Sequence, residues 1–254
     1  MHSGKISAII TTFNEAEHID AAIESVSWAD EILVMDSYST DGTPQLAKRH
    51  AKVRFLQHEY ISPAKQKNRA IALARFPWVF ILDADERVPA ELAAEVKAIV
   101  RQEGGQKDGY WIPRSNIVFG KRLRYLWRHD KVIRLIKREV CRYRDVQVHE
   151  EIETKGVKIG HLKAALLHYT IKDMEHYLDK IRRYAHWQAQ MLYDAGESSS
   201  YWKLVLKPLV RFLKHYLKEG AILDGKAGLV LSGIMAWGVW LRYVFLMELE
   251  EGEQ

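Results

Sequence analysis

The stretch Trp78-Val79-Phe80-Ile81-Leu82-Asp83-Ala84-Asp85 decides the fold. Its apolar run is rich in aromatic and β-branched side chains and has the length of a strand buried on both faces, the kind a parallel sheet uses. It ends on acids. Moving outward, Glu31-Ile32-Leu33-Val34-Met35-Asp36 repeats the pattern and again ends on an acid, while Ile6–Thr12 and Val53–Leu56 supply two further strands. Between them Ile19, Ala22, Ile23 and Val26 recur at helical spacing, and 45–50, 63–74 and 89–100 read as helices. Asn14, with Glu17 three residues on, has the spacing of a capping box and is the expected N-cap of the first helix. Strand and helix therefore alternate through residue 100, which predicts an α/β fold with a mainly parallel sheet and helices on both faces. In open sheets of this kind ligands sit beyond the carboxyl ends of the strands. Asp36 and Asp83 fall there.

Composition is consistent with that reading. At 254 residues and 48% hydrophobic content the chain can bury a sizeable core and is too apolar for a disordered segment. One cysteine, Cys141, excludes an internal disulfide framework and suits a reducing compartment. The N-terminus runs into a strand without a long apolar segment and cleavage site, so a cytoplasmic location is expected. The net charge of +5 is unevenly placed, with ten Lys or Arg against Asp130 and Glu139 between Lys121 and Arg144. Such a concentration either forms a solvated face or meets the phosphates of a nucleotide, a lipid head group or nucleic acid. After Gly104-Gly105 the pattern changes to short strands at 110–112, 132–136 and 158–159. A helix is expected over 174–193, and 196–200 forms a polar break.

Asp83-Ala84-Asp85 is the central chemical signal. Two carboxylates flanking a small residue at a strand end can approach one divalent cation, which would bridge a diphosphate and offset charge on a leaving group. Three segments occur in order: Ile9-Ile10-Thr11-Thr12-Phe13-Asn14-Glu15, then Ile32 to Thr43 with Asp36-Ser37-Tyr38-Ser39-Thr40-Asp41-Gly42, then Phe80 to Asp85. Together they resemble family 2 glycosyltransferases of the GT-A fold. Where that family commonly has two adjacent Asp residues after its second strand, this chain has Asp36-Ser37. The resemblance implies that Thr12, Phe13 and Glu15 line the nucleotide pocket and that Asp36 hydrogen-bonds uracil. It places Asp83 at the ribose or metal, Ala84 beside it in the nucleotide-sugar site, and Asp85 on a Mg or Mn ion holding the diphosphate. Lys65, Gln66 and Asn68 would border the donor, although Lys65 and Arg69 equally suit a solvated cationic face.

An inverting transfer needs a base for the acceptor hydroxyl. The resemblance points to Glu150, oriented by His149, with Glu151 as the rival. His168 would complete the metal's coordination or serve as a core histidine. Within the family the closest resemblance is to the lipopolysaccharide inner-core β-1,4-glucosyltransferase type, carried by Trp28 to Ile32, the His149-Glu150 pair and Gly220 to Gly228. It implies glucose moved from a UDP-sugar to a lipid-linked glycan acceptor. The implied organisation is a catalytic domain over 1–195, with a nucleotide-sugar half (1–103) and an acceptor and base half (104–195), followed by a helical membrane-associating segment over 196–254.

Lys203, Lys207, Arg211, Lys214 and Lys218 fall on one helical stripe opposite Leu206, Leu209, Val210, Leu213 and Leu217, with Pro208 starting or kinking that helix. A basic amphipathic helix suits an anionic membrane surface or packs on the domain. The apolar stretch 228–247, interrupted by Arg242 and carrying Trp237, Trp240 and Tyr243, is expected to lie on the inner-membrane face, with a span as the alternative. The expected location is peripheral, on the cytoplasmic face. The competing functions are a non-catalytic basic module binding RNA or anionic lipid, and a UDP-sugar transferase acting on protein or polysaccharide. A nucleotidyltransferase would need a Gly-rich loop near the first strand, which is lacking.

Overall fold

The computed structural model describes residues 4–102, 107–144, 152–171 and 173–252. The chain divides into two units, Met1–Ser115 with His129–His168, and Asn116–Arg128 with Tyr169–Gln254. The first unit begins with β1 (Ile6–Thr12), α1 (Ile19–Ser25), β2 (Glu31–Asp36), α2 (Thr43–Lys48), β3 (Val53–Gln57), α3 (Pro63–Leu73) and β4 (Trp78–Asp83). After β4 come the short β5 (Glu86–Arg87), then α4 (Ala90–Arg101) and β6 (Gly109–Val118), whose last residues, with β7 (Lys121–Arg122), are counted in the second unit. They are followed by β8 (Lys131–Lys137), β9 (Ile159–His161) and β10 (Leu166–His168). The sheet order is β3-β2-β1-β4-β8-β6-β10-β5, with β7 and β9 also on β6. The four N-terminal strands are parallel, β8 is antiparallel to both β4 and β6, and β9 is parallel to β6. This is the α/β, GT-A-type architecture expected from the sequence.

The period-two geometry of a strand explains why the central runs are apolar throughout. Ala8, Ile10, Ile32, Val34, Phe80 and Leu82 point to one face, where Ile19, Ala22, Ile23, Leu92 and Val96 of α1 and α4 cover them. Ile9, Leu33, Met35, Val79 and Ile81 point to the other, under Ala64, Ala70 and Ile71 of α3. A slip of one residue would turn every one of these side chains to the wrong layer, so the register is tightly specified. It aligns Thr12 with Asp36 and Thr11 with Asp83, bringing the strand-end acids to one rim.

Two local expectations change. Asn14 is not an N-cap: α1 begins at Ile19, with His18 before it and no side-chain cap. Asn14 instead adopts a left-handed backbone (φ 55°), which a short polar side chain tolerates better than others, and its Oδ1 accepts the Thr40 N–H at 2.8 Å. The strand expected at 110–112 extends to ten residues: Gly109 to Pro113 pair with β8 across a register shift at Tyr110/Trp111, while the second half, with Arg114, Ser115 and Asn116, lacks an apolar run and pairs with β7 at Ile117 and Val118.

The second unit contains α5 (Met174–Asp194), α6 (Tyr201–Leu213) and α7 (Lys226–Glu251). The polar break at 196–200 is the α5–α6 connection inside this unit. Pro208 lies within α6, which runs on as a π-helical segment over Lys214–Lys218. Ala189, Val239, Tyr243 and Leu246 form one core, and Val118, Leu123, Leu126, Tyr177, Ala221, Ala227 and Leu231 another. The carboxylate of Asp224, in a short 3₁₀ turn, accepts the backbone N–H groups of Arg124 and Leu126, each at 2.8 Å, and of Tyr125 at 3.2 Å. Gly228 makes this turn possible: a Cβ there would lie 1.8 Å from the Ala221 carbonyl oxygen.

Gly228→Ala is therefore expected to destabilise the protein by about 1–3 kcal/mol through overpacking. Gly233→Ala, where an added Cβ meets open space, should be neutral or stabilising by up to about 1 kcal/mol through helix propensity. Denaturant midpoints of the two variants check the contrast.

Candidate active site

The loops after β1 and β2 are stitched together by the polar residues of the Ser39-Thr40-Asp41-Gly42-Thr43 segment. The Asn14 N–H donates to Ser39 Oγ at 2.8 Å, the Glu15 N–H to Thr43 Oγ1 at 2.8 Å and the Ala16 N–H to Asp41 Oδ2 at 3.1 Å. Asp36 is fully buried at the centre of this arrangement. Its carboxylate accepts from the Ser39 N–H and from Gln57 Nε2, both at 3.0 Å, and from the Ser39 hydroxyl. Beside it the buried Thr12 hydroxyl has no hydrogen-bond partner among the described residues. Phe13 and Tyr38 are both 57% exposed, and Tyr38 also holds a left-handed backbone (φ 59°), which is strained for a bulky side chain. The rim thus offers a buried carboxylate, an unsatisfied hydroxyl and two outward aromatic rings, a set suited to a flat heterocycle with polar edges.

The second half of the site is an ion network around the turn between β4 and β5. Arg134, buried in β8, contacts Asp83 Oδ2 and lies 2.8 Å from Glu86 Oε1. Lys67 of α3 reaches Asp83 Oδ1 at 3.0 Å, and the Thr11 hydroxyl donates to the same oxygen at 3.2 Å. The Asp83 N–H donates to Glu86 Oε2 at 3.0 Å, closing the turn. Burial pushes the Asp83 carboxyl upward, but Arg134 and Lys67 outweigh it and hold the group far below the ordinary carboxylate range. Glu86, with no exposed surface, is raised: burial dominates, Arg134 opposes it, and the Asp83 charge adds to the rise.

Asp85 sits between these anchored residues with a half-exposed carboxylate, and His168 Nε2 lies 3.5 Å from its Oδ2. Ala84 is buried, and its carbonyl accepts from Arg87. Of the α3 candidates, Lys65 is exposed behind the Ser62 cap, Gln66 is buried and donates to Ser37 Oγ and the Met35 carbonyl, and Asn68 pairs with both backbone groups of Tyr143, at 2.8 and 2.9 Å. His149, Glu150 and Glu151 lie outside the described residues. The described residues flanking that segment are tied to each other: Tyr143 bridges to Ile152, and Arg144 forms a two-pronged pair with Glu153.

Residues 7–142 match the family model for glycosyl transferase family 2. The chain belongs to this family. It is 30% identical to the lipopolysaccharide core biosynthesis glycosyltransferase LpsC of Rhizobium meliloti (strain 1021), over 89% of this chain and 85% of that protein. It is equally 30% identical to an uncharacterized glycosyltransferase of Rickettsia bellii (strain RML369-C), over 96% of this chain and 87% of the relative. Among solved structures, S. aureus TarS 1-349 in complex with UDP-GlcNAc superposes with a TM-score of 0.53 at 14% identity, covering 98% of this chain and 92% of that one. That likeness speaks to the fold.

The transferase family implies a divalent cation, and the residues can be tested for it. Among the described residues no three His, Cys, Asp or Glu side chains group as a metal site. Asp85 and His168 nevertheless form a converging carboxylate–imidazole pair, and Mg²⁺ or Mn²⁺ commonly takes one or two protein groups with phosphate oxygens and water filling the remainder. The pair fits such a cation. Asp83, with a cation on each oxygen, fits poorly.

Lys67, Arg134 and Glu86 were not assigned roles from the sequence. Arg134 carried a signal, since a lone charge inside Val132-Ile133-Arg134-Leu135-Ile136 must find a buried partner. Lys67 could not be told from Lys65 before the helix was oriented. Cys141 is buried, and burial pushes its thiol up to about 11, leaving it protonated and inert.

The Asp83 shift has a pH signature. A carboxylate depressed on folding contributes stability that is complete above its unfolded value of about 3.9 and drains as pH falls below it. Glu86, raised on folding, acts in the opposite sense, disfavouring the fold as pH rises through its folded value. Between pH 4 and 2 the wild-type chain should lose stability more steeply than Asp83→Asn, by up to about 1.4 kcal/mol per pH unit. Equilibrium denaturation across that range measures the slopes.

Proposed function

We propose that the chain is an inverting, metal-dependent hexosyltransferase that moves a sugar, glucose on the strength of the family resemblance, from a UDP-sugar to a lipopolysaccharide core or related lipid-linked glycan. One observation carries the donor half: the parallel register brings Asp36 with Thr12, and Asp83 with Thr11, to the same rim, next to the Asp85–His168 pair. The similarity to a protein named for lipopolysaccharide core biosynthesis, spanning most of both chains, supports the acceptor class.

In this reading uracil meets Asp36 and Thr12 and stacks on Phe13 or Tyr38, with Glu15 nearby in the pocket. Lys65 and Asn68 border the donor through α3, Asn68 by holding Tyr143 in place. Lys67 and Arg134 fix Asp83, which would meet the ribose, and Asp85 and His168 would hold a divalent cation. When bound, that cation would neutralise charge developing on the leaving diphosphate. Glu150, oriented by His149, takes the proton from the acceptor hydroxyl as its oxygen bonds to the anomeric carbon opposite the departing diphosphate. The carbon–oxygen bond to UDP breaks, and the configuration inverts.

The rival basic RNA-binding module keeps exposed cations at Lys121, Arg122, Arg124 and Arg128. Five of the ten cations between 121 and 144 are otherwise engaged: Arg134 is buried, Lys137 pairs with Asp108, Lys131 lies over the Trp111 ring, Arg142 donates to backbone carbonyls, and Arg144 pairs with Glu153.

Incubation with a panel of UDP-sugars and truncated core acceptors, with and without Mn²⁺ or Mg²⁺, should yield one β-linked product. Asp85→Ala is expected to lower turnover by about 100-fold or more. Glu150→Gln should lower it comparably while leaving donor binding intact. Full turnover in Asp85→Ala would remove the metal assignment, and full turnover in Glu150→Gln would pass the base role to Glu151.

A further inference from the structure

The helix α6 and its π-helical extension turn their apolar side outward. Trp202 is 73% exposed and Val210 61%, and Val205, Leu206, Leu209, Leu213 and Leu217 are exposed with them. Positions 202, 205, 206, 209, 210, 213 and 217 share one helical face. The opposite side is the one that packs: Leu204 joins the core with Val239, Tyr243 and Leu246, while His215 is buried against Glu219 at 2.7 Å. A surface helix in water ordinarily does the reverse, and an outward apolar stripe of this size marks an interaction surface.

The charges indicate the partner. From Tyr201 to Lys218 there are five Lys or Arg and no acid. Lys203 is held by Glu197 at 2.7 Å, Arg211 is half-buried, and Lys207, Lys218 and Lys214 (3.7 Å from Glu219) are exposed along the flank. Long cationic side chains beside an apolar stripe can reach sideways to phosphates while the stripe enters a hydrocarbon boundary. Tyr201 and Trp202, at one end, suit the head-group level. We infer that the outward face of α6 docks the protein onto an anionic phospholipid bilayer, with the helix lying in the plane of the interface.

This assigns the contact to a different helix from the one that hydropathy favours. α7 alone is long and apolar enough, among the described residues, to cross a membrane. Yet it lies against α5, where Gly238 leaves room for Ile181, and against α6 through Val239, Tyr243 and Leu246, and it carries Arg242 half-buried in its length. It is the scaffold that holds α6 face-out.

The test uses the full chain and vesicles of phosphatidylcholine alone or mixed equally with phosphatidylglycerol. Wild type should float with the mixed vesicles, release as salt rises, and bind pure phosphatidylcholine poorly. The triple variant Val205→Gln, Leu209→Gln, Val210→Gln alters only exposed positions; circular dichroism verifies its fold. It should bind at least about tenfold more weakly, as should Lys214→Glu with Lys218→Glu. Lipids brominated near the head group should quench wild-type fluorescence more than that of Trp202→Phe. Undiminished binding by the triple variant, or no binding by wild type, overturns the inference. So does a concentration-dependent dimer that the triple variant dissolves in the absence of lipid, since that would give the face to a second copy of the chain.

Discussion

Arg134 is the constraint around which the site is arranged. Its guanidinium lies inside the protein, where an unpaired ion costs several kcal/mol, so it is tolerated only while carboxylates are delivered to it. The β4–β5 turn delivers two, Asp83 and Glu86, and Lys67 arrives from the other side of Asp83. The network in turn fixes the turn. With Asp83 and Glu86 both anchored, and the Asp83 N–H closing onto Glu86, Asp85 between them has little freedom in where its backbone lies. A half-exposed carboxylate is thereby positioned by its neighbours rather than by its own contacts. Such buried ion groups add little net stability compared with apolar packing, but removing one member leaves the others uncompensated. The arrangement is better understood as a positioning device than as a source of stability.

The sequence showed the fold clearly in its first hundred residues, for a physical reason. Strands covered on both faces must be apolar at every position, so Ile6–Thr12, Glu31–Asp36 and Trp78–Asp83 stand out as runs, and the acids that end them are visible by contrast. Beyond residue 104 this contrast fades. β6 mixes Pro113, Arg114, Ser115 and Asn116 with apolar residues because its place is set by its partners, and pairing leaves no period in the sequence. The capping-box spacing at Asn14 misled for a related reason. Asn, Ser, Thr and Asp serve both as caps and as loop cross-links, and only the position of the second loop shows that Asn14 and Asp41 do the latter. The amphipathic pattern of α6 was legible, but not which side faced inward; that needed α7.

Charge balance separates the roles of the acids more sharply than the Asp-Ala-Asp spacing could. Asp83 and Glu86 are matched by Lys67 and Arg134, and Arg114 is matched principally by Asp130 at 2.9 Å. Among the described residues Asp85 is the carboxylate of this turn that faces outward, with a histidine beside it. A diphosphate approaching that rim would meet a net negative group at short range in a partly desolvated setting, where unit charges a few ångströms apart interact by several kcal/mol. An acid in that place hinders such a ligand unless a cation lies between them. His168 belongs to the same logic, because an imidazole nitrogen can share a cation with a carboxylate without adding negative charge. Under the proposed function, the outward charge at Asp85 would link a diphosphate donor to a divalent cation, because among the described residues Asp83 and Glu86 already have cations of their own.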